Sequence, residues 1–281
     1  MNKKIKANVN KIIPFSAVDG PGNRMAIFLQ GCNFNCLNCH NPETINPCIH
    51  CKKCVPACKF NALEVINDKV VWKPLNCTHC DKCVEACPFD STPKTSWFSV
   101  EDIIAQIEPI RNFISGVTVS GGEATLQREF LIQLGPKIKE MGLTLFIDTN
   151  GGTDFEEDPE LTDSFDMAML DVKSANADEH KRLTNVSNKI VLKNLIFLAK
   201  IGKLHEVRTV IIPNVLDNER NVDEISKLLA KYAPSVRYKL IKYRSLGVRK
   251  NLIQSQTPSE DIMKQLENIA LNNGCQNVVL I

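Results

Sequence analysis

Eleven of the twelve cysteines in this 281-residue chain fall between Cys32 and Cys87, in groups spaced for metal rather than for disulfides. Cys32-x3-Cys36-x2-Cys39 puts three thiolates on one short loop. Three sulfur ligands leave one iron of a four-iron cluster open to a small molecule, whereas closed structural sites use four. The plainer alternative is a zinc site completed by His40. Cys48, Cys51, Cys54 and Cys58 then read C-x2-C-x2-C-x3-C, and Cys77, Cys80, Cys83 and Cys87 repeat the pattern. Lys53 and Lys82, Val55 and Val84, Ala57 and Ala86, Phe60 and Phe89 keep the same register, so the block is an internal duplication. Cys275 stands apart and reads as an ordinary buried thiol.

Weaker polar signals lie further along: Gly121-Gly122-Glu123, Asp148-Thr149-Asn150-Gly151 and Asp171-Val172-Lys173. Alone, each reads as a turn or a surface pair. Their position gathers them. Strand-like runs at 24–30, 116–120, 143–148, 166–171, 206–212, 236–241 and 278–281 alternate with helix-like runs at 100–110, 125–141, 189–201, 221–232 and 259–271. That alternation predicts an α/β fold with a mostly parallel sheet, open or rolled into part of a barrel, and chemistry at the carboxyl ends of its strands. The three-cysteine loop follows the first of these strands, and the three polar motifs follow the next three, so one site is assembled from several strand ends. Residues 46–95 interrupt the pattern. They contain two short strands around an Asn67-Asp68-Lys69 turn and have little apolar core, so whatever the cysteines bind must hold them together.

Hydrophobic residues at 43% and charged residues at 23% supply a full core and exclude disorder or collagen-like repetition. No apolar run approaches the roughly 20 residues that span a bilayer. Lys3, Lys4 and Lys6 lead into no apolar stretch, so the expectation is no membrane association, no secretory signal and a cytoplasmic location. A formal charge of +2 gives no strong electrostatic case for nucleic acid.

The duplicated runs resemble bacterial ferredoxins, in which the fourth cysteine of each run ligates the other cluster. The resemblance implies Cys48, Cys51, Cys54 and Cys87 on one 4Fe–4S cluster, and Cys77, Cys80, Cys83 and Cys58 on a second. Pro88 follows the second run as in ferredoxins, while Lys59 follows the first. A pair of zinc knuckles is the alternative. Cys32-x3-Cys36-x2-Cys39 with Gly121-Gly122-Glu123 resembles the radical S-adenosylmethionine signature. Asp19-Gly20-Pro21-Gly22-Asn23-Arg24, Gly31-Cys32 and Cys39-His40-Asn41-Pro42-Glu43 make the chain similar to the glycyl-radical-enzyme activating enzymes. Met169-Leu170-Asp171-Val172-Lys173 and Val186-Ser187-Asn188 extend the likeness. Lys11-Ile12-Ile13-Pro14-Phe15-Ser16 and Lys69-Val70-Val71-Trp72 most resemble the YjjW-type subgroup, which carries a ferredoxin-like insert.

This resemblance implies a partial (β/α)6 TIM-like barrel from residues 1–45 and 96–281, with a ferredoxin-like insert at 46–95 binding two 4Fe–4S clusters. Cys32, Cys36 and Cys39 would hold a third cluster, whose open iron chelates the methionyl amine and carboxylate of S-adenosylmethionine. Gly121, Gly122 and Glu123 would contact the methionyl end, and Lys173 and Arg208 match further cofactor contacts. Asp148, Thr149, Met169 and Asp171 match a monovalent-cation site. Asn38 stands where an aromatic residue is usual, and Arg244 lies near where many activases carry a histidine. Reductive cleavage of S-adenosylmethionine would give a 5′-deoxyadenosyl radical. That radical takes a Cα hydrogen from one glycine of a partner glycyl radical enzyme, whose loop Asp19 would touch. A flavodoxin or ferredoxin would supply the electrons. The rivals are the same radical chemistry on a small molecule and a plain ferredoxin-type electron carrier.

Overall fold

Runs of β-branched residues alternate with amphipathic stretches. In the computed structural model, which describes residues 4–249 and 251–281, they become strands and helices of one nine-stranded sheet with a separate hairpin. The chain opens with β1 (Lys6–Ser16) and β2 (Arg24–Leu29), then forms the hairpin β3 (Leu63–Ile66) and β4 (Lys69–Trp72) and the short α1 (Lys82–Glu85). After β5 (Ser96–Ser99) and α2 (Val100–Ile107) come β6 (Gly116–Gly121), α3 (Arg128–Glu140), β7 (Thr144–Thr149), α4 (Pro159–Ser164) and β8 (Met167–Asp171). Helices α5 (Ala177–Thr184) and α6 (Lys189–Lys200) lead to β9 (Leu204–Ile211) and α7 (Asn218–Tyr232). The chain ends with β10 (Arg237–Lys242), α8 (Glu260–Asn272) and β11 (Val278–Leu280).

The strand order is β11-β10-β9-β8-β7-β6-β2-β1-β5. β2 and β6 through β11 run parallel, as the βα alternation requires. At the other edge β1 runs antiparallel to both β2 and β5. Sequence reading finds neither β1 nor β5. Ala7 and Val9 begin an alternation, but the register shifts between Val9 and Lys11 and again before Ser16, which breaks the period of two.

That period also divides the parallel strands into two faces. Ile27, Leu29, Val117, Val119, Leu145, Ile147, Leu170, Val207 and Leu240 lie in the main core and are almost completely buried. The alternate positions carry Arg24, Thr118, Ser120, Phe146, Asp148, Met169, Asp171 and Arg208, so the opposite face is polar toward the strand ends.

The hairpin turns on Asn67 and Asp68, both with positive φ (48° and 66°), the conformation that two-residue hairpins demand. Around it the duplication extends into the backbone. His50 and His79, Lys52 and Asp81, and Asn61 and Asp90 all adopt left-handed φ at equivalent places in the two repeats. The apolar cluster of this segment is only Cys54, Leu63 and Val70, with a few half-buried neighbours. Asn46 fastens the segment to the sheet: its amide N–H donates to the Asp90 carbonyl (3.1 Å), its Nδ2 donates to the Phe89 carbonyl (2.9 Å), and its own carbonyl accepts from Gln30 Nε2 (2.7 Å).

Candidate functional site

Strand β2 delivers the three-cysteine loop, and the neighbouring chain holds it from both sides. The Gly31 and Cys32 amides donate to the carbonyls of Thr44 (2.8 Å) and Ile45 (2.9 Å). The Asn35 and Leu37 amides donate to Thr184 (3.0 Å) and Leu183 (2.8 Å) at the end of α5. Phe34 is buried and meets the His180 ring edge-on, with centroids 5.7 Å apart. Burial pushes the Cys32 thiol up to about 11 and the Cys36 thiol to about 12, with the neighbouring thiols adding and Lys173 opposing. Such thiols become thiolates only with a compensating positive charge, which bound metal provides. His40 is turned away from a role beside these thiols: its Nε2 lies 3.0 Å from the Arg244 carbonyl oxygen. Among the described residues, no three Cys, His, Asp or Glu side chains converge on a single ion.

The glycines after β6 are required by contact. A Cβ on Gly121 (φ 119°) would sit 2.2 Å from the Leu29 backbone, and one on Gly122 would sit 2.1 Å from the Gly31 carbonyl oxygen. The close approach lets the Glu123 amide donate to Gly31 (2.8 Å), which fixes the loop's first residue against the sheet. Glu123 itself is 1% exposed, and its carboxylate is occupied by the chain. Oε1 accepts from Thr125 N–H (3.1 Å), Thr125 Oγ1 (2.7 Å) and Thr149 Oγ1 (2.8 Å), and Oε2 accepts from Asn150 N–H (2.7 Å). Glu123 therefore ties the end of β6 to the end of β7. Asn150, which sequence reading left without a role, turns its Nδ2 toward Asn33 Oδ1 (2.8 Å) and Cys32 Sγ (3.7 Å).

Asp148, Asp171, Lys173 and Arg208 come together as a compact charge network beside this loop. Arg208 Nε donates to Asp171 Oδ1 (2.7 Å) and its Nη2 pairs with Asp148, while Lys173 Nζ donates to Asp171 Oδ2 (2.6 Å). Ser120 Oγ donates to the other Asp148 oxygen (3.0 Å). Burial alone would raise Asp171, but Arg208 and Lys173 hold it down to about 2. Met169 is buried and in register with Asp148. Asn38 is 3% exposed, and among the described residues its Oδ1 has no hydrogen-bond partner, which leaves an acceptor beside Cys39 for a ligand donor. The Arg244 side chain points outward into solvent.

The duplicated segment forms two small, partly open pockets. Cys48, Cys51, Cys54 and Cys87 line one, and Cys58, Cys77, Cys80 and Cys83 line the other. Each cavity thus draws three thiols from one repeat and the fourth from its twin. Against slight burial, the amides of Phe60, Ala62 and Leu63 hold the Cys58 thiol below its ordinary value. Amides turned onto sulfur are a donor set suited to an iron–sulfur cluster.

The family model described as "4Fe-4S single cluster domain" matches residues 18–192. The chain is 30% identical to the indoleacetate decarboxylase activating enzyme of Tractidigestivibacter scatoligenes, over 98% of each chain. It is also 30% identical to the pyruvate formate-lyase-activating enzyme of Streptococcus mutans, covering 87% of this chain and 80% of that one. Its fold is similar to the crystal structure of a radical SAM methyltransferase from Sphaerobacter thermophilus, with a TM-score of 0.53 at 12% identity, covering 99% of this chain and 77% of that one. Among the described residues, no helix is long and apolar enough to cross a membrane.

Proposed function

This chain belongs to the glycyl-radical-enzyme activating enzymes, and from that premise we propose that Cys32, Cys36 and Cys39 hold its catalytic 4Fe–4S cluster. When bound there, a reduced cluster and S-adenosylmethionine supply the 5′-deoxyadenosyl radical that abstracts a Cα hydrogen from a glycine of a partner glycyl radical enzyme. The observation that carries the reading is one loop of three half-buried thiols at the carboxyl end of a parallel strand and beside the half-buried cation Lys173, while the other eight clustered cysteines line the two pockets of the duplicated segment.

The chain's own residues do the positioning. Gly121 and Gly122 bring β6 against the loop, leaving backbone polar groups beside it for the methionyl end of the cofactor. Glu123 acts mainly through Asn150 and Thr149, keeping the strand ends in register. Lys173 and Arg208 present positive charge toward the cofactor's carboxylate. The monovalent cation implied at Asp148, Thr149, Met169 and Asp171 fits less well. Arg208 and Lys173 already counter both carboxylates, and Thr149 Oγ1 is committed to Glu123, so a cation could enter only if the guanidinium withdrew.

We assign residues 46–95 as a ferredoxin-like insert with two further clusters, inserted into a partial (β/α)6 barrel of residues 1–45 and 96–281. The crossed thiol sets and the repeated left-handed positions support this. The Lys11–Ser16 and Lys69–Trp72 motifs favour the YjjW-type subgroup, with a flavodoxin or ferredoxin as electron donor. Thiols kept for metal suit a reducing, cytoplasmic setting. The test is electron paramagnetic resonance after anaerobic incubation of the reduced protein with S-adenosylmethionine and candidate glycyl radical enzymes. A glycyl doublet on the partner is expected. Release of 5′-deoxyadenosine without a doublet across those partners would point to a small-molecule substrate instead.

A further inference from the structure

The segment between β10 and α8 performs a task that no sequence motif announces. It is anchored by Tyr243, Val248 and Ile253, which are buried with Ile212, Leu216 and Leu183, and Leu37 of the three-cysteine loop packs on the same cluster. From there the segment lies directly on the cysteine loop. The Arg244 carbonyl meets His40 Nε2 at 3.0 Å, and a Cβ on Gly247 (φ 83°) would lie 2.8 Å from the His40 carbonyl oxygen. Arg249 completes the contact in two directions. Its Nη2 donates to the Cys36 carbonyl (2.7 Å), and its Nη1 donates to Asp90 Oδ2 (2.6 Å) in the stretch that follows Cys87. The side chain is 11% exposed.

We propose that Arg249 is a positioning residue that couples the three-cysteine loop to the two-cavity segment and sets the charge beside the open-iron cluster. The proposal rests on the reading that both groups of cysteines carry clusters. One planar guanidinium spans the backbone of the first group and a carboxylate of the second, a geometry a lysine cannot reproduce. Cluster potentials respond to nearby charge and hydrogen bonding, and an added electron is favoured by a close positive charge. Arg249 therefore favours the reduced catalytic cluster, and Asp90 partly offsets it.

The experiment uses the full, anaerobically reconstituted chain as wild type, Arg249→Ala and Asp90→Asn. Iron content is measured, and the fraction reduced at a fixed poise is read from the resonance signal that changes on adding S-adenosylmethionine. Arg249→Ala is expected to lower the reduced-to-oxidised ratio about tenfold, which for one electron is about 59 mV. Asp90→Asn is expected to raise the ratio, because the guanidinium loses its counter-charge. Opposite signs at wild-type iron content support the proposal, since loosened packing would move both variants the same way. Shifts of one sign, or no shift in either variant, would overturn it. If Arg249→Ala loses iron, the direction of the Asp90→Asn shift decides. A wild-type chain with no S-adenosylmethionine-sensitive signal would remove the cluster reading itself, and the proposal with it.

Discussion

Arg208→Met makes the sharpest test of the charge network, because it removes one cation from between two carboxylates while keeping most of the side-chain volume. Breaking a buried ion pair by deleting one partner costs about 3–5 kcal/mol, and this network, with side chains 16–24% exposed, falls toward the lower end. Part of that cost can be worked from Asp171. Its folded value is depressed from 3.8 to about 2. That depression contributes roughly 2 kcal/mol at about 1.4 kcal/mol per unit. A depressed carboxylate stabilises the fold above its unfolded value and loses that contribution as pH falls through its folded value, so the wild type keeps it throughout the range from pH 8 to pH 5. In the variant, Asp148 and Asp171 face each other with only Lys173 beside them. One carboxylate then titrates upward, and the deficit shrinks as pH falls toward 5. The assay is urea unfolding at several pH values, followed by circular dichroism at constant m. Arg208→Met with Asp148→Asn leaves the Asp171–Lys173 pair and no excess carboxylate, so it should recover at least half the loss. A deficit under about 1 kcal/mol at pH 7, flat with pH and indifferent to Asp148→Asn, would refute the reasoning.

Other expectations are independent of that network. Cys36→Ala should lower iron by about four atoms per chain, leave the rest in place and abolish release of 5′-deoxyadenosine, as checked by iron and sulfide analysis with chromatography. Gly122→Ala drives a Cβ against the Gly31 carbonyl and should destabilise by at least about 1–3 kcal/mol; calorimetry and S-adenosylmethionine affinity should both register it. Anaerobic chelation should expose amides of the hairpin β3–β4 to hydrogen exchange while those of β6, β7 and β8 stay protected, because the hairpin rests on a cluster of only Cys54, Leu63 and Val70, whereas the parallel strands lie in the main core.

The parallel strands were legible because most are largely buried and carry the apolar Val, Ile and Leu that betray them. Their ends differ from the sequence expectation by one or two residues, as with β7 at Thr144–Thr149. The antiparallel strand β1, paired on both sides by β2 and β5, was hidden by its bulges. The short α5 was hidden too, since Ala177–Thr184 is mostly polar and starts through an Asn176 cap rather than through an apolar stripe. Cysteine spacing announced the thiol groups, since ligand spacing is local. The partners of Glu123 and Arg249 were not legible. Such contacts join residues 26, 27 or 213 positions apart, and composition holds no trace of them.

The exchange of fourth thiols between the two repeats has a consequence for repair. Damage at Cys58 opens the wall of the cavity built by the later run, and damage at Cys87 opens that of the earlier one. Neither chamber can be sealed by its own stretch of chain, so a lesion that begins in one half is inherited by the other. Neither repeat completes a four-thiol set without the other, so the two halves of the segment must fold together before either set is whole.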